Sequence, residues 1–367
     1  MTSPALTGPA DGPAAPGGPG APGDWQALHI FYAASPRPLL LDCVRPLVDE
    51  LTRDGLLSGY FFINYWLQGP HVRLRLKPSS TAAEAEVRER ALSAVRRFLT
   101  TRPALYEVKA GFLADLYNTL FELEYPQEQR EKLLGPDGRM LLRDNNSVSP
   151  EPYEPEYGKY GGPAGVALAE WHFQRSSDLV IEALRTMNLH VRTVLLGTAA
   201  QLMMVMSASF LDDDEELAHF LERYHAFWDG AFAETDFTAR KGYDRAYADM
   251  GAELGRRFTS VRAAIARGAE EELPAFLRGW AVHCRELAGR VRRLAADGEL
   301  VFRRWSGGEE FHITDERHAL AMLMSPYMHM TNNRLSVTIR DEAFLAYVLA
   351  RTLREGTDAN GTTGGTG

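Results

Sequence analysis

Cysteine is scarce in this sequence, and its two copies form no metal-binding or disulfide pattern. Cys43 and Cys284 lie far apart, with no Cys-x-x-Cys pair and no zinc-like spacing. No apolar run reaches the ~18 residues that a membrane-spanning helix needs, and the N-terminus lacks the basic and apolar regions of a signal peptide. These absences predict a cytoplasmic protein without a metal, a cofactor or a membrane-spanning segment.

A surplus of positive charge is also absent. The formal net charge is -9, whereas domains that bind nucleic acids are normally basic. We therefore expect no direct nucleic-acid partner. The sequence also contains no phosphate loop, dinucleotide fingerprint, zinc-protease helix or serine nucleophile elbow. Its 45% of hydrophobic and 24% of charged residues are nevertheless ordinary for a folded protein.

The two ends of the chain have few large apolar side chains. Residues 1–24 are mostly Pro, Gly and Ala, and residues 355–367 are similar, so we predict disordered tails. Between them, residues 25–354 are expected to form one domain, with a sheet portion at about 25–123 and a helical portion at about 162–354. The order of strands and helices predicts an α+β fold: an N-terminal, mainly antiparallel sheet with flanking helices, followed by a largely α-helical portion.

Local signals predict several boundaries within this fold. Residues 28–33 and 106–113 are expected to be strands. Thr81 and Glu84 have the spacing of a capping box at the start of a helix. Pro46 is expected to kink or divide a helix at 39–51. A break is expected at Ser176-Ser177-Asp178, and Pro326 is expected to distort or interrupt a helix that begins at His318.

Residues 58–77 organise the rest of the chain. Two strand-like runs are separated by Gln68-Gly69-Pro70, a turn signal. His71, Arg73 and Arg75 then alternate with Val72, Leu74 and Leu76, which places the basic side chains on one face of a strand. Because neighbouring cations repel, this row indicates an anionic ligand or buried carboxylates. A solvated strand face with ordinary ion pairs is the alternative.

Two further segments, 153–163 and 327–334, place polar groups among apolar ones. Glu156 precedes a Tyr-Gly-Gly-Pro sequence, and His329 lies between two methionines. Taken alone, His329 is compatible with a core histidine, Asn333 with a helix cap and Arg334 with a surface charge. Composition and periodicity therefore indicate an anion site without identifying a reaction.

The segments GYFFINYWLQGPHVRLRLK, YEPEYGKYGGPAGVALAE and HMTNNRL, in this order, resemble the C-terminal elimination domain of lantibiotic dehydratases. They are similar in particular to its free-standing relatives in thiopeptide-type bacteriocin biosynthesis. The resemblance covers roughly residues 25–354.

The resemblance implies an enzyme that acts on a ribosomally made precursor peptide with a leader and a core. A separate glutamyl-tRNA-dependent protein esterifies Ser or Thr with glutamate, and the elimination domain then expels glutamate to leave dehydroalanine or dehydrobutyrine. A homodimer is compatible with the family.

The resemblance also assigns roles to residues of the three motifs. His329, Arg73 and Arg75 are expected to be catalytic. His329 would act as base or proton shuttle, and the two arginines would bind the departing glutamate. Substrate binding is expected at five further polar residues of the motifs: His71, Tyr160, Glu156, Asn333 and Arg334.

Two positions depart from the pattern of many relatives. Lys159 stands where an arginine often precedes Tyr-Gly-Gly, and Pro155 stands where dehydratase-type members often have an arginine. These departures keep a second activity open, a formal [4+2] cycloaddition between two dehydroalanines that builds a pyridine and releases the leader. A third alternative is a non-catalytic subunit that binds the leader at a sheet edge.

Overall fold

The computed structural model describes residues 23–105, 117–118, 120–122, 125, 127–231, 243–303 and 308–362. They divide into two compact units. The N-terminal unit contains residues 23–155 and 176–186, and the C-terminal unit contains residues 156–175 and 187–362. The strand predicted at 106–113 and most of the predicted N-terminal tail lie outside the described residues.

The N-terminal unit is built on a four-stranded antiparallel sheet of order β2-β3-β1-β4. Helices α2 and α3 contact this sheet. This arrangement confirms the predicted fold class. The elements are β1 (Gln26–Phe31), α1 (Arg37–Leu39), α2 (Arg45–Arg53), β2 (Leu57–Tyr65), β3 (His71–Pro78), α3 (Glu84–Thr101), α4 (Gln127–Glu131) and β4 (Ser147–Glu151).

The alternation along β3 separates an aliphatic face from a basic face. Val72, Leu74 and Leu76 are buried. Tyr60, which pairs with Leu76 in the sheet, donates a hydrogen bond of 2.7 Å to Asp178. The aliphatic side chains therefore contribute to the core of this unit, and the row of basic side chains lies on the opposite face.

Two helix starts differ from the predictions. A π-helix, Leu40–Val44, joins α1 to α2, and the Arg45 N–H donates to the Leu40 carbonyl. The extra residue in this turn lets the helical path continue through Pro46, which has no N–H. Before α3, residues 81–83 form a 3₁₀ turn. Thr81 is therefore not the N-cap residue as predicted, since the N-cap is Ser80 for the 3₁₀ turn and Ala83 for α3. Glu84 is the first residue of α3 and accepts a hydrogen bond of 3.1 Å from the Asp24 N–H.

The C-terminal unit is almost entirely helical, as predicted. Its two short strands form one hairpin. The elements are α5 (Tyr157–Tyr160), α6 (Gly162–Thr186), α7 (Arg192–Phe210), α8 (Asp214–Ala231), α9 (Tyr243–Ala266), α10 (Ala275–Ala296), β5 (Val301–Arg303), β6 (Glu310–His312), α11 (Glu316–Arg334) and α12 (Ile339–Thr362). The last residues of α6, from Ser176 on, belong to the N-terminal unit.

The predicted break in α6 and the predicted interruption of α11 are wrong. Both helices are continuous, with Pro326 inside α11. Ser176 and Ser177 are fully buried. The Ser177 hydroxyl accepts a hydrogen bond of 3.2 Å from the Phe62 N–H on β2, an edge strand. Ser177 therefore satisfies a sheet-edge donor that would otherwise be buried without a partner.

Helix α7 is the most apolar helix of the C-terminal unit. It is long and apolar enough to span a membrane by length and composition, but most of it is buried inside the fold, which is typical of a core helix. Met203, Met204 and Met206 are buried, which is typical of core residues. The first turn of the helix is more open, since Val194 is exposed.

Candidate active site

The basic face of β3 carries His71, Arg73 and Arg75 in one row, as the alternation predicts. The antiparallel register places His29 of β1 opposite Arg73. On the other side of β3, Tyr65 of β2 lies opposite His71. Two imidazoles, two guanidiniums and a phenol ring are therefore neighbours on one face of the sheet.

Arg73 is held at two points. Its Nε–H donates to Nε2 of His71 over 3.2 Å, and its guanidinium carbon lies 3.5 Å from the centre of the Tyr65 ring. Nδ1 of His71 lies 2.9 Å from the carbonyl oxygen of Gly69. Because a carbonyl oxygen only accepts, Nδ1 carries the proton and Nε2 is the acceptor. Among the described residues, these contacts leave the two terminal nitrogens of Arg73 for a ligand.

Arg75 is a buried cation, with only 5% of its surface exposed. Within the described residues, its Nε and Nη1 are buried and form no hydrogen bond. Burial, followed by repulsion from Arg73, lowers the pKa of Arg75 to about 9, although Tyr153 and two nearby glutamates oppose this shift. A buried guanidinium without a hydrogen-bonded carboxylate is unfavourable unless an anion binds to it. Arg75 is therefore the strongest sign of an anion site.

His29 is a candidate residue that the sequence analysis does not identify. Its ring centre lies 5.0 Å from that of His71. Burial, followed by the charge of Arg73, lowers the pKa of His29 to about 2 and that of His71 to about 3. Both imidazoles are therefore neutral near pH 7. The available signal is a histidine between Leu28 and Ile30, although its register with Arg73 is a tertiary property.

In the C-terminal unit, His329 of α11 forms a hydrogen bond with Glu342 of α12. Nδ1 lies 2.9 Å from the Oε2 atom. Because a carboxylate oxygen only accepts, Nδ1 donates and Nε2 is the basic nitrogen. The ring of Trp228 packs against the imidazole, with the ring centres 4.5 Å apart. The imidazole is therefore fixed in both orientation and tautomer.

Glu342 is the second candidate that the sequence analysis does not identify. It is 1% exposed and accepts hydrogen bonds from the Tyr224 hydroxyl and, over 3.0 Å, from Nδ2 of Asn332. With His329 it forms an imidazole–carboxylate pair, the arrangement that prepares a histidine to remove a proton. The available signal is a pair of acidic residues, Asp341 and Glu342, in the first turn of the helix, which is also typical of an ordinary helix start.

Tyr160 and Arg334, both predicted to bind substrate, are buried in the C-terminal unit. Arg334 donates to the Met330 carbonyl over 2.8 Å, and its guanidinium lies 4.5 Å from the centre of the Phe173 ring. Tyr160 stacks on Tyr327 with an angle of 15° between the rings. Burial lowers the pKa of Arg334 to about 9. These contacts hold α5, α6 and α11 together, and direct contact with substrate stays a prediction.

Glu156 and Asn333 lie at the ends of helices. Glu156 forms an ion pair of 3.3 Å with Lys159, the residue that replaces the arginine of many relatives. Asn333 lies in the last turn of α11, where its carbonyl accepts a hydrogen bond of 2.9 Å from the Ser336 N–H. The substrate contacts assigned to both residues stay predictions.

The glycines of the second motif allow a sharp turn between α5 and α6. Gly161 and Gly162 have φ angles of +85° and +81°, as their positions suggested. Gly165 lies so close to the Tyr160 carbonyl that a Cβ atom there would overlap it. The motif therefore sets the position of Tyr160 against the start of α6.

We expect Gly165→Ala to lower the free energy of unfolding by about 3 kcal/mol or more, because neither backbone segment can move without disrupting α5 or α6. The matched control is Gly197→Ala in α7, where nothing lies within 4 Å of the added methyl group. That change should stabilise by about 0.5–1 kcal/mol. Denaturant unfolding checks both, and equal effects would contradict the expected crowding at Gly165.

Within the N-terminal unit the predicted residues form the row on β3. Within the C-terminal unit they comprise the His329 pair, buried Tyr160 and Arg334, the ion pair of Glu156, and Asn333 at the end of α11. Among the described residues, no cluster of three or more His, Cys, Asp or Glu side chains is arranged to hold a metal ion. A cleft of about 520 Å³ in the N-terminal unit, lined by residues such as Asn118, Phe121 and Arg130, contains none of the predicted residues.

The model of a protein family described as "Lantibiotic biosynthesis dehydratase C-term" matches residues 25–353. This match confirms the resemblance inferred from the three motifs. No protein with a curated description matches the chain.

The solved structures that match the chain include the following three, of which the first two are similar in fold. One is described as "Pyridine synthase, TbtD, from thiomuracin biosynthesis". It has 22% sequence identity to this chain and a TM-score of 0.67, and the match covers 90% of this chain and 98% of that chain. The second is TsrL: 18% identity, TM-score 0.62, covering 91% of this chain and 95% of that chain. The third, the tRNA-dependent lantibiotic dehydratase MibB from Microbispora sp. 107891, has 18% identity and a TM-score of 0.48, covering 95% of this chain and 29% of that chain.

Proposed function

The chain belongs to the family of lantibiotic biosynthesis dehydratase C-terminal domains, and from this premise we propose that it is a glutamate-eliminating lyase, the second component of a split dehydratase. Its substrate is a ribosomally made precursor peptide in which a separate glutamyl-tRNA-dependent protein has esterified Ser or Thr with glutamate. The products are dehydroalanine or dehydrobutyrine in the peptide and free glutamate. The observation that carries the proposal is the imidazole–carboxylate pair of His329 and Glu342.

In the proposed reaction, Nε2 of His329 removes the proton from the α-carbon of the esterified residue. The electrons of that C–H bond form the Cα=Cβ bond. The bond from Cβ to the ester oxygen breaks, and its electron pair leaves with the glutamate carboxylate. Glu342 keeps the imidazole in the required tautomer and stabilises the imidazolium that forms.

We assign the departing glutamate to Arg73 and Arg75. The leaving group gains negative charge as the Cβ–O bond breaks, and guanidinium groups stabilise such charge most strongly where water is excluded. Arg75 is buried and lacks a hydrogen-bonded carboxylate among the described residues, which supports this assignment. Because glutamyl-tRNA supplies the ester, we place the reaction in the cytoplasm.

The second candidate is a pyridine-forming cycloaddition between two dehydroalanines with release of the leader. The observation that favours it is the similarity in fold to a pyridine synthase, which this chain matches over 98% of that structure. Lys159 and Pro155, which replace arginines of dehydratase-type relatives, favour it as well. Such a reaction needs positioned hydrogen-bond donors more than a base, so the His329–Glu342 pair would have no clear use.

A non-catalytic subunit that binds the leader at a sheet edge is ranked last. The two edge strands are β2 and β4. On β2, the Phe62 N–H already donates to Ser177, and β4 contains Pro150, which has no N–H to donate. Both edges therefore have fewer free donors for an added strand.

Incubation of the purified protein with a synthetic peptide that carries glutamyl-Ser tests the proposal. We expect mass spectrometry to detect a peptide that has lost glutamic acid, together with free glutamate. If the ester survives, but a peptide with two dehydroalanines loses its leader and gains pyridine absorbance, the protein is a cycloaddition enzyme. If neither peptide changes and the leader still binds, the third candidate is correct.

A further inference from the structure

Two neutral imidazoles, His29 and His71, lie among the guanidinium groups of the basic face. Burial is the main cause of the low pKa values of both rings, and the charges of Arg73, Arg75 and Arg143 lower these pKa values further. Arg143 also lies 3.5 Å from Glu151 of β4. A lysine or arginine in place of either histidine would add a further positive charge to this face. An imidazole instead supplies a hydrogen bond without a charge.

His71 is fully occupied within the protein. Its Nδ1–H donates to Gly69, and its Nε2 accepts from Arg73, so no ring nitrogen is left for a ligand. The sequence assigned substrate binding to His71, but these contacts indicate that it orients Arg73 above Tyr65. The fixed guanidinium then presents its two terminal nitrogens, which match the two oxygens of a carboxylate.

His29, in contrast, has a ring nitrogen that is available to a ligand. Its Nε2 is buried and has no hydrogen-bond partner among the described residues. It lies opposite Arg73 in the sheet, and buried atoms of Arg75 on the same face lack hydrogen bonds as well. Buried polar groups without partners are rare and need an explanation such as a ligand. Here the unsatisfied groups are neighbours on one face, which favours a single shared ligand.

We propose that His71 is a positioning residue for Arg73 and that Nε2–H of His29 donates a hydrogen bond to a carboxylate held by Arg73 and Arg75. The inference rests on the proposed function, in which that carboxylate belongs to the departing glutamate. It adds a contact from His29 and replaces the substrate contact of His71 by an indirect role.

Calorimetric titration of the full chain with L-glutamate tests the inference without a peptide or turnover. Glutamyl-tRNA transfers glutamate through its α-carboxyl group, so L-isoglutamine, the α-amide of glutamate, is the neutral analogue of the departing carboxylate, and inorganic phosphate is the competing anion. We expect glutamate to bind more tightly than either one. Its affinity should stay constant between pH 6 and 8, because both imidazoles remain neutral there. A charged histidine would instead weaken binding above a pH of about 6.5.

Paired variants separate the roles of the two histidines. His29→Leu and His71→Leu should each weaken glutamate binding by about tenfold or more, the usual effect of losing one hydrogen bond to a charged group. His29→Gln and His71→Gln retain a polar atom near Nε2 and should remain within about threefold of the unchanged protein. A structural role alone would not produce this rescue at an unchanged melting temperature.

Several results would overturn the inference: unchanged glutamate affinity in both leucine variants, equal affinity for isoglutamine or phosphate, or a loss of affinity between pH 6 and 8. If His71→Leu does not fold, the His29 pair decides the outcome. Glutamate binding of the expected kind without release of glutamate from a glutamylated peptide would refute the proposed function alone. Release of glutamate without the expected binding would refute this inference alone.

Discussion

Replacing His329 by alanine is expected to lower the rate of glutamate release by a factor of about 10²–10⁴, the usual contribution of a positioned general base. The variant loses the nitrogen that takes the α-proton. The anion site on β3 is unchanged, so the glutamylated peptide should still bind. We therefore expect the rate constant for elimination to fall while the Michaelis constant stays within a few-fold.

Single-turnover measurements of free glutamate from a glutamyl-Ser peptide check this expectation. His318→Ala is the matched control, because His318 is an exposed histidine on the same helix, α11, and should retain full activity. Glu342→Gln should lower the rate less than His329→Ala, because the imidazole remains but loses its carboxylate partner. Elimination at the original rate in His329→Ala would exclude this residue as the base.

The basic row could be predicted from sequence because strand alternation is a local property. His71, Arg73 and Arg75 lie on one face for the same reason that Val72, Leu74 and Leu76 are buried. Strand β4 could not be predicted in the same way. It is short, contains Pro150 and stands in a segment rich in turn residues, so it forms only because β1 pairs with it.

The incorrect helix breaks have the same physical origin. Ser177 weakens a helix by local propensity, but tertiary contact provides its hydroxyl with the Phe62 N–H. Helix α11 likewise continues through Pro326 inside a buried helix. Local rules describe the chain without these partners, so they overestimate the number of interruptions.

In the candidate site, the sequence motifs identify residues that could act on a substrate, but they do not identify the residues that hold those side chains in place. His329 stands out between two methionines, whereas Glu342 becomes its partner only when α11 and α12 pack together. Arg334 lies in one of the motifs, but its environment could not be predicted. Its charge suggests the surface or a ligand, but its guanidinium is buried against Phe173. Burial of a charged group depends on tertiary packing that no local pattern encodes.

Replacing Arg75 by methionine is expected to abolish glutamate elimination and, at the same time, to stabilise the protein. A buried guanidinium that lacks a carboxylate partner destabilises the folded state, and methionine fills a similar volume without a charge. We expect the free energy of unfolding to rise by about 1–3 kcal/mol in the absence of ligand. Loss of the contact to the departing anion should lower elimination by about 10²-fold or more.

Arg73→Met on the same strand is the matched control. Arg73 is half-buried and already bonded to His71, so its removal should lower elimination without the gain in stability. Denaturant unfolding of both variants, with and without glutamate, separates the effects. Glutamate should stabilise the unchanged protein and have little effect on Arg75→Met, since a ligand stabilises only the state that binds it. If Arg75→Met unfolds more readily than the unchanged protein, the guanidinium contributes to the fold itself, and the anion site must be assigned elsewhere.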